Sequence, residues 1–135
     1  MKMSYQKLVH KIRKDLAHNS SLQIACLNVL KEVQSKSEDS LRHVTYNNLS
    51  DLSGLPCIND NFAHLISYLC GDRIELFNLN MEYISLEDEQ FILDDENIRA
   101  LVSENRIAHP KTGELINDAR DNVFIFFSIN SKAVE

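Results

Sequence analysis

The chain has 135 residues, a length that corresponds to one domain or to one domain with an accessory helix, and excludes elaborate multidomain enzymes. Hydrophobic residues make up 44% and charged residues 25% of the chain, with three glycines and two prolines, which excludes disordered and fibrous proteins. The net charge of −6 argues against binding of the whole chain to nucleic acid or to anionic membranes.

Targeting segments and cysteines indicate the compartment. The first twenty residues carry lysines but lack an apolar run of signal-peptide length. The sequence contains no run of about eighteen apolar residues, so we expect no membrane span. Cys26, Cys57 and Cys70 are odd in number and widely spaced, which is typical of reduced thiols. The sequence therefore predicts a cytoplasmic protein.

Helices are predicted for the first part of the chain. Apolar residues at helical spacing over residues 5–16 predict an amphipathic helix, and three lysines lie off that stripe. A polar break at residues 18–21, whose serines are candidate N-caps, precedes a second helix over about residues 21–35. Residues 41–44 are a short extended candidate.

Two short helices joined by a glycine turn come next. Thr45 is a candidate N-cap for a helix over residues 46–52, and Gly54 suits the left-handed position at its end. Asn59 or Asp60 is placed to cap the following helix. The apolar stripe of that helix is Phe62, Leu65, Ile66 and Leu69. This arrangement indicates a helix-turn-helix motif.

The remainder of the chain favours strands and one more helix. Residues 73–85 are rich in strand formers and are expected to form a hairpin with residues 91–93. Three acids at residues 94–96 begin a short helix. Its expected buried stripe is Ile98, Leu101 and Val102. A turn at residues 109–113 precedes a strand at residues 123–127, which is apolar on both faces and is expected inside the sheet.

The order of these elements, with the string VTYNNLSDLSGLP at residues 44–56 and a helix from about Asn59, resembles a winged-helix domain. The resemblance covers about residues 21–93, with residues 123–127 as a returning strand. It implies an α+β fold of one domain. That domain would comprise a winged-helix-like core, an extra N-terminal helix over residues 1–20, and an acidic C-terminal extension over residues 94–135 that adds a short helix and a strand.

The resemblance also implies DNA binding, because the second helix of this motif commonly enters the major groove. Four polar side chains lie off the apolar stripe of that helix and have groups that meet base edges or phosphates: Asn61, His64, Ser67 and Tyr68. Between Arg42 and Arg73 there is no Lys or Arg to neutralise phosphate, so cations must come from elsewhere. The candidates are Lys7, Lys11 and Lys14 on the first helix. The alternative is that both faces are merely solvated.

Charge divides unevenly along the chain. Residues 1–71 carry a net charge of +2 and residues 72–135 a net charge of −8. Six acids of the second part form a candidate surface that binds a basic protein partner or mimics the negative charge of nucleic acid. They are Glu87, Asp88, Glu89, Asp94, Asp95 and Glu96. Their spacing does not match a calcium-binding EF-hand loop, and a purely solubilising role is the alternative.

Residues for catalysis or metal binding give no recognisable pattern. The spacings of Cys57, His64 and Cys70 match no zinc motif, and the sequence contains no phosphate loop or dinucleotide-binding turn. A hydrolase using Cys57 or Cys70 stays open as a third hypothesis, since nucleophile and base converge in space, but no thiol is marked as activated. We predict a protein that is not an enzyme and has no metal or cofactor.

The leading hypothesis is a small transcriptional regulator that binds double-stranded DNA without catalysis. A homodimer is expected, because two linked weak modules gain from effective concentration. The alternative is a protein-interaction adaptor or inhibitor that uses the acidic face against a basic partner.

Overall fold

A computed structural model describes residues 4–130 and divides the chain into two compact units. The helical unit comprises residues 1–79 and 127–135, and the acidic unit comprises residues 80–126. The predicted α+β class is confirmed, since the described residues form five α-helices and small antiparallel sheets. That the chain is one domain stays a prediction.

Four helices form most of the helical unit, and their bounds are α1 (Tyr5–Asp15), α2 (Ser20–Ser35), α3 (Tyr46–Ser53) and α4 (Asp60–Cys70). Thr45 caps α3 in a reciprocal pair with Asn48, and Gly54 ends α3 with a φ of 80°, as predicted. The predicted cap of α2 was wrong. Asn19, not a serine, accepts the capping bond from the backbone N–H of Leu22, because Ser20 already lies inside the helix.

The apolar stripes of these helices meet in a common core, in which α2 packs against α1, α3 and α4. The stripe of α1 is confirmed by Leu8 and Ile12, which are fully buried. In α4, Phe62, Leu65 and Leu69 are buried as predicted. Burial of each such side chain stabilises the fold by about 1.5–3 kcal/mol. Packing of α4 on α2 therefore fixes which face of α4 remains exposed.

The strands are β1 (Phe77–Ile84), β2 (Gln90–Ile92), β3 (Arg106–Ala108), β4 (Leu115–Asn117) and β5 (Val123–Ile129). The predicted hairpin is confirmed, with β1 and β2 antiparallel and Tyr83 opposite Phe91. Its first strand begins later than predicted. Residues 73–76 are not extended, because Glu75 adopts a left-handed φ of 44° that interrupts a strand.

The last strand occupies a different place from the one predicted. The order of the three-stranded sheet is β2-β1-β5, so β5 lies at its end rather than inside, and Phe124 is 51% exposed. Phe127 of β5 also forms an isolated antiparallel bridge with Val44. The extended candidate at residues 41–44 reduces to Val44, because Leu41 ends a 3-10 turn over Asp39–Leu41.

The acidic unit has a core of its own, formed by Tyr83, Leu93, Leu101, Ile107 and Ala119. Its helix α5 (Asp95–Glu104) is capped by Asp94 and contacts β3. The turn predicted at residues 109–113 connects β3 and β4, a hairpin that the sequence did not indicate.

The buried stripe predicted for α5 was partly wrong. Val102 is 65% exposed, whereas Leu101 is buried and Ile98 is partly buried. The physical reason is Asn97, whose amide bonds both the N–H and the C=O of Ala108 at 2.9 and 3.1 Å. These bonds turn the Asn97 side of α5 toward β3 and leave Val102 outside the packed face.

Candidate nucleic-acid interface

The four polar residues predicted on α4 divide into two pairs. His64 and Ser67 are exposed. Asn61 and Tyr68 are half-buried and have protein partners: Asn61 Oδ1 accepts a bond from Asn19 at 3.0 Å, and Tyr68 donates its hydroxyl to Asp15 Oδ2 at 2.8 Å. His64 and Ser67 therefore form the accessible part of this face, and the other two residues tie α4 to the neighbouring helices.

A groove of about 420 Å³ lies between α4 and the connection from α1 to α2. We call it the α4 groove. Its polar lining comprises His18, Asn19, His64, Ser67, Tyr68, Asp72 and Arg73. Three of the four residues predicted on α4 thus face one depression in the helical unit. Imidazole, hydroxyl, amide and guanidinium groups in this lining are all capable of bonding to phosphate or to base edges.

A second groove of about 590 Å³ runs along the outer side of α1, and we call it the α1 groove. Its lining residues are Ser4, Gln6, Lys7, His10, Lys11, Lys14, Asp15 and Arg73. All three lysines predicted to contact phosphate therefore line one surface. Basic side chains in this arrangement attract a polyanion, because the lining holds four Lys or Arg residues and one acid.

Arg73 is the one lining residue that the two described grooves share. Its guanidinium binds the Asp15 carboxylate twice, with Nη2 at 2.6 Å from Oδ1 and Nε at 3.3 Å from Oδ2. Arg73 was not among the predicted contacts, because its pairing with Asp15 is not visible in the sequence and its position indicated the start of a strand. The position of Arg73 just after Gly71, where α4 ends, was the available signal.

The electrostatics of Asp15 follow from these contacts. The bond from Arg73, assisted by the one from Tyr68, holds the pKa of Asp15 below its ordinary value of 3.8. The pKa of Arg73 is correspondingly raised by Asp15. Burial and the bond to Asp15 raise the pKa of the Tyr68 hydroxyl. At neutral pH the site therefore holds a carboxylate, a guanidinium and a protonated phenol.

The six acids predicted as an alternative partner surface are all exposed in the acidic unit. Two of them also have structural partners. Asp94 accepts the capping bond of α5 from the Asn97 N–H at 2.8 Å. Glu89 Oε1 lies 2.5 Å from His109 Nε2, and Nδ1 of that ring accepts bonds from the N–H groups of Lys111 and Thr112. The first contact holds Asp94 at the start of α5, and the second joins the β1–β2 connection to the β3–β4 connection.

The three cysteines differ in burial and in their surroundings. Cys26 is buried, and desolvation raises the pKa of its thiol to about 12. Desolvation raises the pKa of Cys70 to about 11, so this thiol is protonated at neutral pH. Cys57 is exposed, with its sulfur 3.8 Å from the Tyr46 carbonyl oxygen. Over residues 4–130, no group of His, Cys, Asp or Glu side chains is arranged to hold a metal ion.

In the part of the chain that the structure describes, no helix is both long and apolar enough to cross a bilayer. A comparison of the chain with protein-family models, with curated proteins and with solved structures found no match.

Proposed function

We propose that this protein is a small, non-catalytic, cytoplasmic regulator that binds double-stranded DNA through its helical unit and is of winged-helix type. The observation that carries the proposal is the shared position of Arg73 in the α1 groove and the α4 groove. The lysines of α1 and the exposed face of α4 therefore border adjacent depressions of one unit. The predicted phosphate contacts and the predicted base contacts are close enough to act on one duplex.

The order of elements supports the winged-helix part of the proposal. The helices α3 and α4 both pack on α2, and Gly54 lies in the connection between them. Val44 bridges Phe127 of β5, and β5 neighbours β1, which is the arrangement expected for a returning strand. The segment between β1 and β5 belongs to the acidic unit and corresponds in chain order to the wing of a winged-helix domain.

The charge of the two grooves supports binding to phosphate. Their lining carries four cations, which are Lys7, Lys11, Lys14 and Arg73, against two acids, and it adds three histidines. In the proposed complex the lysines position the duplex, while His64 and Ser67 contact base edges. Asn61 and Tyr68 border this face. Two copies in a homodimer raise the affinity of such a sparsely basic module through effective concentration.

The test is a fluorescence-anisotropy titration of a labelled mixed-sequence duplex over a series of salt concentrations. Wild-type protein is expected to bind with a steep negative slope of log affinity against log salt. The triple variant Lys7→Ala, Lys11→Ala, Lys14→Ala should flatten the slope by about 2.7, because each phosphate contact contributes about 0.9. Absence of wild-type binding at low salt would refute the proposal.

A matched control removes the same charge elsewhere in the helical unit. The triple variant Lys31→Ala, Lys36→Ala, Arg42→Ala also loses three cations, none of which lines either groove. Its slope should stay close to that of the wild type. An equal loss in both triple variants would indicate general attraction by net charge and would contradict a defined surface.

The contribution of α4 has a separate test. The double variant His64→Ala, Ser67→Ala removes the two exposed polar groups and keeps the lysines. It should keep the salt slope while losing the preference for duplexes enriched from a random pool by the wild type. Retained sequence preference in this variant would remove α4 from the proposed reading face.

The non-catalytic part of the proposal is tested by thiol labelling. Iodoacetamide is expected to modify Cys57 in the native protein, because Cys57 is exposed. Cys26 should react only after unfolding, since it is fully buried, and Cys70 should react slowly because its pKa is raised to about 11. Rapid labelling of native Cys70 near neutral pH would indicate an activated thiol and reopen the hydrolase hypothesis.

A second candidate function is an adaptor or inhibitor whose acidic unit binds a basic partner. The observation in its favour is that the exposed acids lie beside exposed apolar side chains: Leu86 is 94% exposed and Ile92 is 63% exposed. This function would be supported if the wild type bound a lysine-rich peptide and did not bind duplex DNA, and if peptide binding were lost in the triple variant Glu87→Gln, Asp88→Asn, Glu89→Gln. Peptide binding that is unchanged in this triple variant would contradict the adaptor function.

A further inference from the structure

We propose that Arg73 is a phosphate-binding residue that joins the α1 groove to the α4 groove, and that Asp15 is the positioning residue that orients its guanidinium. This inference rests on the proposed function and names a DNA contact outside the residues that the sequence singled out. The ligand is one phosphate of the DNA backbone, lying between the lysines of α1 and the exposed face of α4.

The geometry of the ion pair leaves Arg73 able to bind a second oxyanion. A guanidinium has five N–H donors in a planar fork. The bonds from Nε and Nη2 to the two oxygens of Asp15 use one side of that fork. The Nη1 group and the second hydrogen of Nη2 form the end of the fork, which is a bidentate site of the kind that phosphate prefers.

Burial distinguishes the two partners of the pair. The side chain of Asp15 is 10% exposed, whereas that of Arg73 is 61% exposed. Asp15 also accepts the bond from the Tyr68 hydroxyl, so its carboxylate is fixed to α4 as well as to Arg73. A half-buried acid that is bonded by two residues thus orients an exposed cation. A ligand that binds Arg73 then loses less side-chain entropy than one that must immobilise a free arginine.

The neighbouring charges favour a single phosphate at this point. Lys11 and Lys14 line the same groove as Arg73, and Asp15 offsets part of the positive charge there. Asp72, an exposed acid, lines the other groove beside Arg73. These two carboxylates limit how many anions gather around Arg73. The lysines extend the path for the backbone on the α1 side.

The experiment uses the full chain and the same duplex titration, with Arg73→Gln compared with Arg42→Gln. Arg42 is the matched control, because it also forms an exposed ion pair with an acid, Asp39, at 3.0 Å, but lines neither groove. Arg73→Gln should flatten the salt slope by about 0.9 and weaken binding roughly tenfold at about 50 mM salt. Arg42→Gln should leave both unchanged. Equal behaviour of the two variants would overturn the inference, while wild-type binding would leave the proposed function standing.

The variant Arg73→Lys tests whether the planar guanidinium is needed or whether a positive charge is sufficient. It also serves as a control for misfolding of Arg73→Gln. Lysine keeps the charge but offers no planar fork that bonds Asp15 and phosphate together. We expect it to keep most of the salt slope, because the charge remains, but to bind more weakly than the wild type, because the bidentate contact is lost. Its thermal unfolding midpoint should stay close to that of the wild type. Full wild-type affinity in Arg73→Lys would contradict the role assigned to Asp15.

Discussion

The helical unit and the acidic unit differ in both secondary structure and charge. The helical unit contains α1 to α4 and has 10 basic and 9 acidic residues, whereas the acidic unit contains two short hairpin pairings and α5 and has 4 basic and 11 acidic residues. The net charge of −6 is therefore the sum of +1 from the helical unit and −7 from the acidic unit. It describes the acidic unit, at −7, and says little about the surface of the helical unit.

The two units also differ in the size of their cores. In the helical unit, long side chains from all four helices are fully buried. The acidic unit has six buried residues, one of which is an alanine, over residues 80–126. Because small cores bury a smaller share of their surface, we expect the acidic unit to open locally at a lower free energy than the helical unit.

The largest expected effect comes from truncating a buried side chain in each unit. Leu65 and Ile107 are both fully buried. Leu65→Ala and Ile107→Ala should each lower the free energy of unfolding by about 2–5 kcal/mol, through lost burial and the cavity that remains. Amide hydrogen exchange will show whether the units open separately: Ile107→Ala should accelerate exchange over residues 80–126 more than in α2.

Val102→Ala is the control within the acidic unit. Val102 is 65% exposed, so its truncation should change the free energy of unfolding by less than about 0.5 kcal/mol. If Ile107→Ala accelerated exchange equally in both units, the division into separately opening parts would be refuted. A large cost for Val102→Ala would contradict the exposed position of that residue.

A smaller effect is expected from removing one helix cap in each unit. Thr45 accepts the capping bond of α3 at 3.1 Å, and Asp94 accepts that of α5 at 2.8 Å. Thr45→Ala and Asp94→Ala should each cost about 1 kcal/mol, measured by urea unfolding and by exchange of the first-turn amides. Thr45→Ser and Asp94→Asn keep the acceptor oxygen and should restore most of the stability. If neither Thr45→Ser nor Asp94→Asn restored the free energy of unfolding, the caps would not act through these hydrogen bonds.

The smallest effect is the pH dependence due to Asp15. Its folded pKa lies below the ordinary 3.8, so the stability it contributes is present above about pH 4 and is lost as the pH falls through the folded pKa. The difference in thermal midpoint between wild type and Asp15→Asn should therefore shrink as the pH is lowered from 6 to about 2. Asp39→Asn, which removes the exposed partner of Arg42, is the control. A wild-type advantage that persists at the lowest pH would contradict the assigned shift.

The sequence predicted elements whose signals are local. Thr45 and Gly54 bound α3 because a cap and a left-handed residue act within a few positions of the chain. The strand predicted from residue 73 and the burial of Val102 were wrong for the opposite reason. Glu75 takes a left-handed φ despite its strand-forming neighbours, and Val102 is excluded because Asn97 bonds β3. Neither a left-handed residue nor a contact between α5 and β3 is encoded in hydrophobic periodicity.

The candidate site divides in the same way. Helical periodicity alone assigned His64 and Ser67 to the exposed face of α4, and both are exposed. It did not indicate that Tyr68 bonds Asp15, which lies 53 residues earlier, or that Asn61 bonds Asn19. Arg73 was missed because its importance depends on Asp15, 58 residues away in the chain.

The sequence by itself determined the helices of the helical unit, the β1–β2 hairpin and the uneven distribution of charge, because spacing, caps and charge are properties of neighbouring residues. Only the tertiary structure decided that β5 lies at the end of its sheet, that β3 and β4 pair, and that Arg73 lines both grooves. These features arise when packing brings distant segments together, since burial and geometry then select among the local options that the chain leaves open.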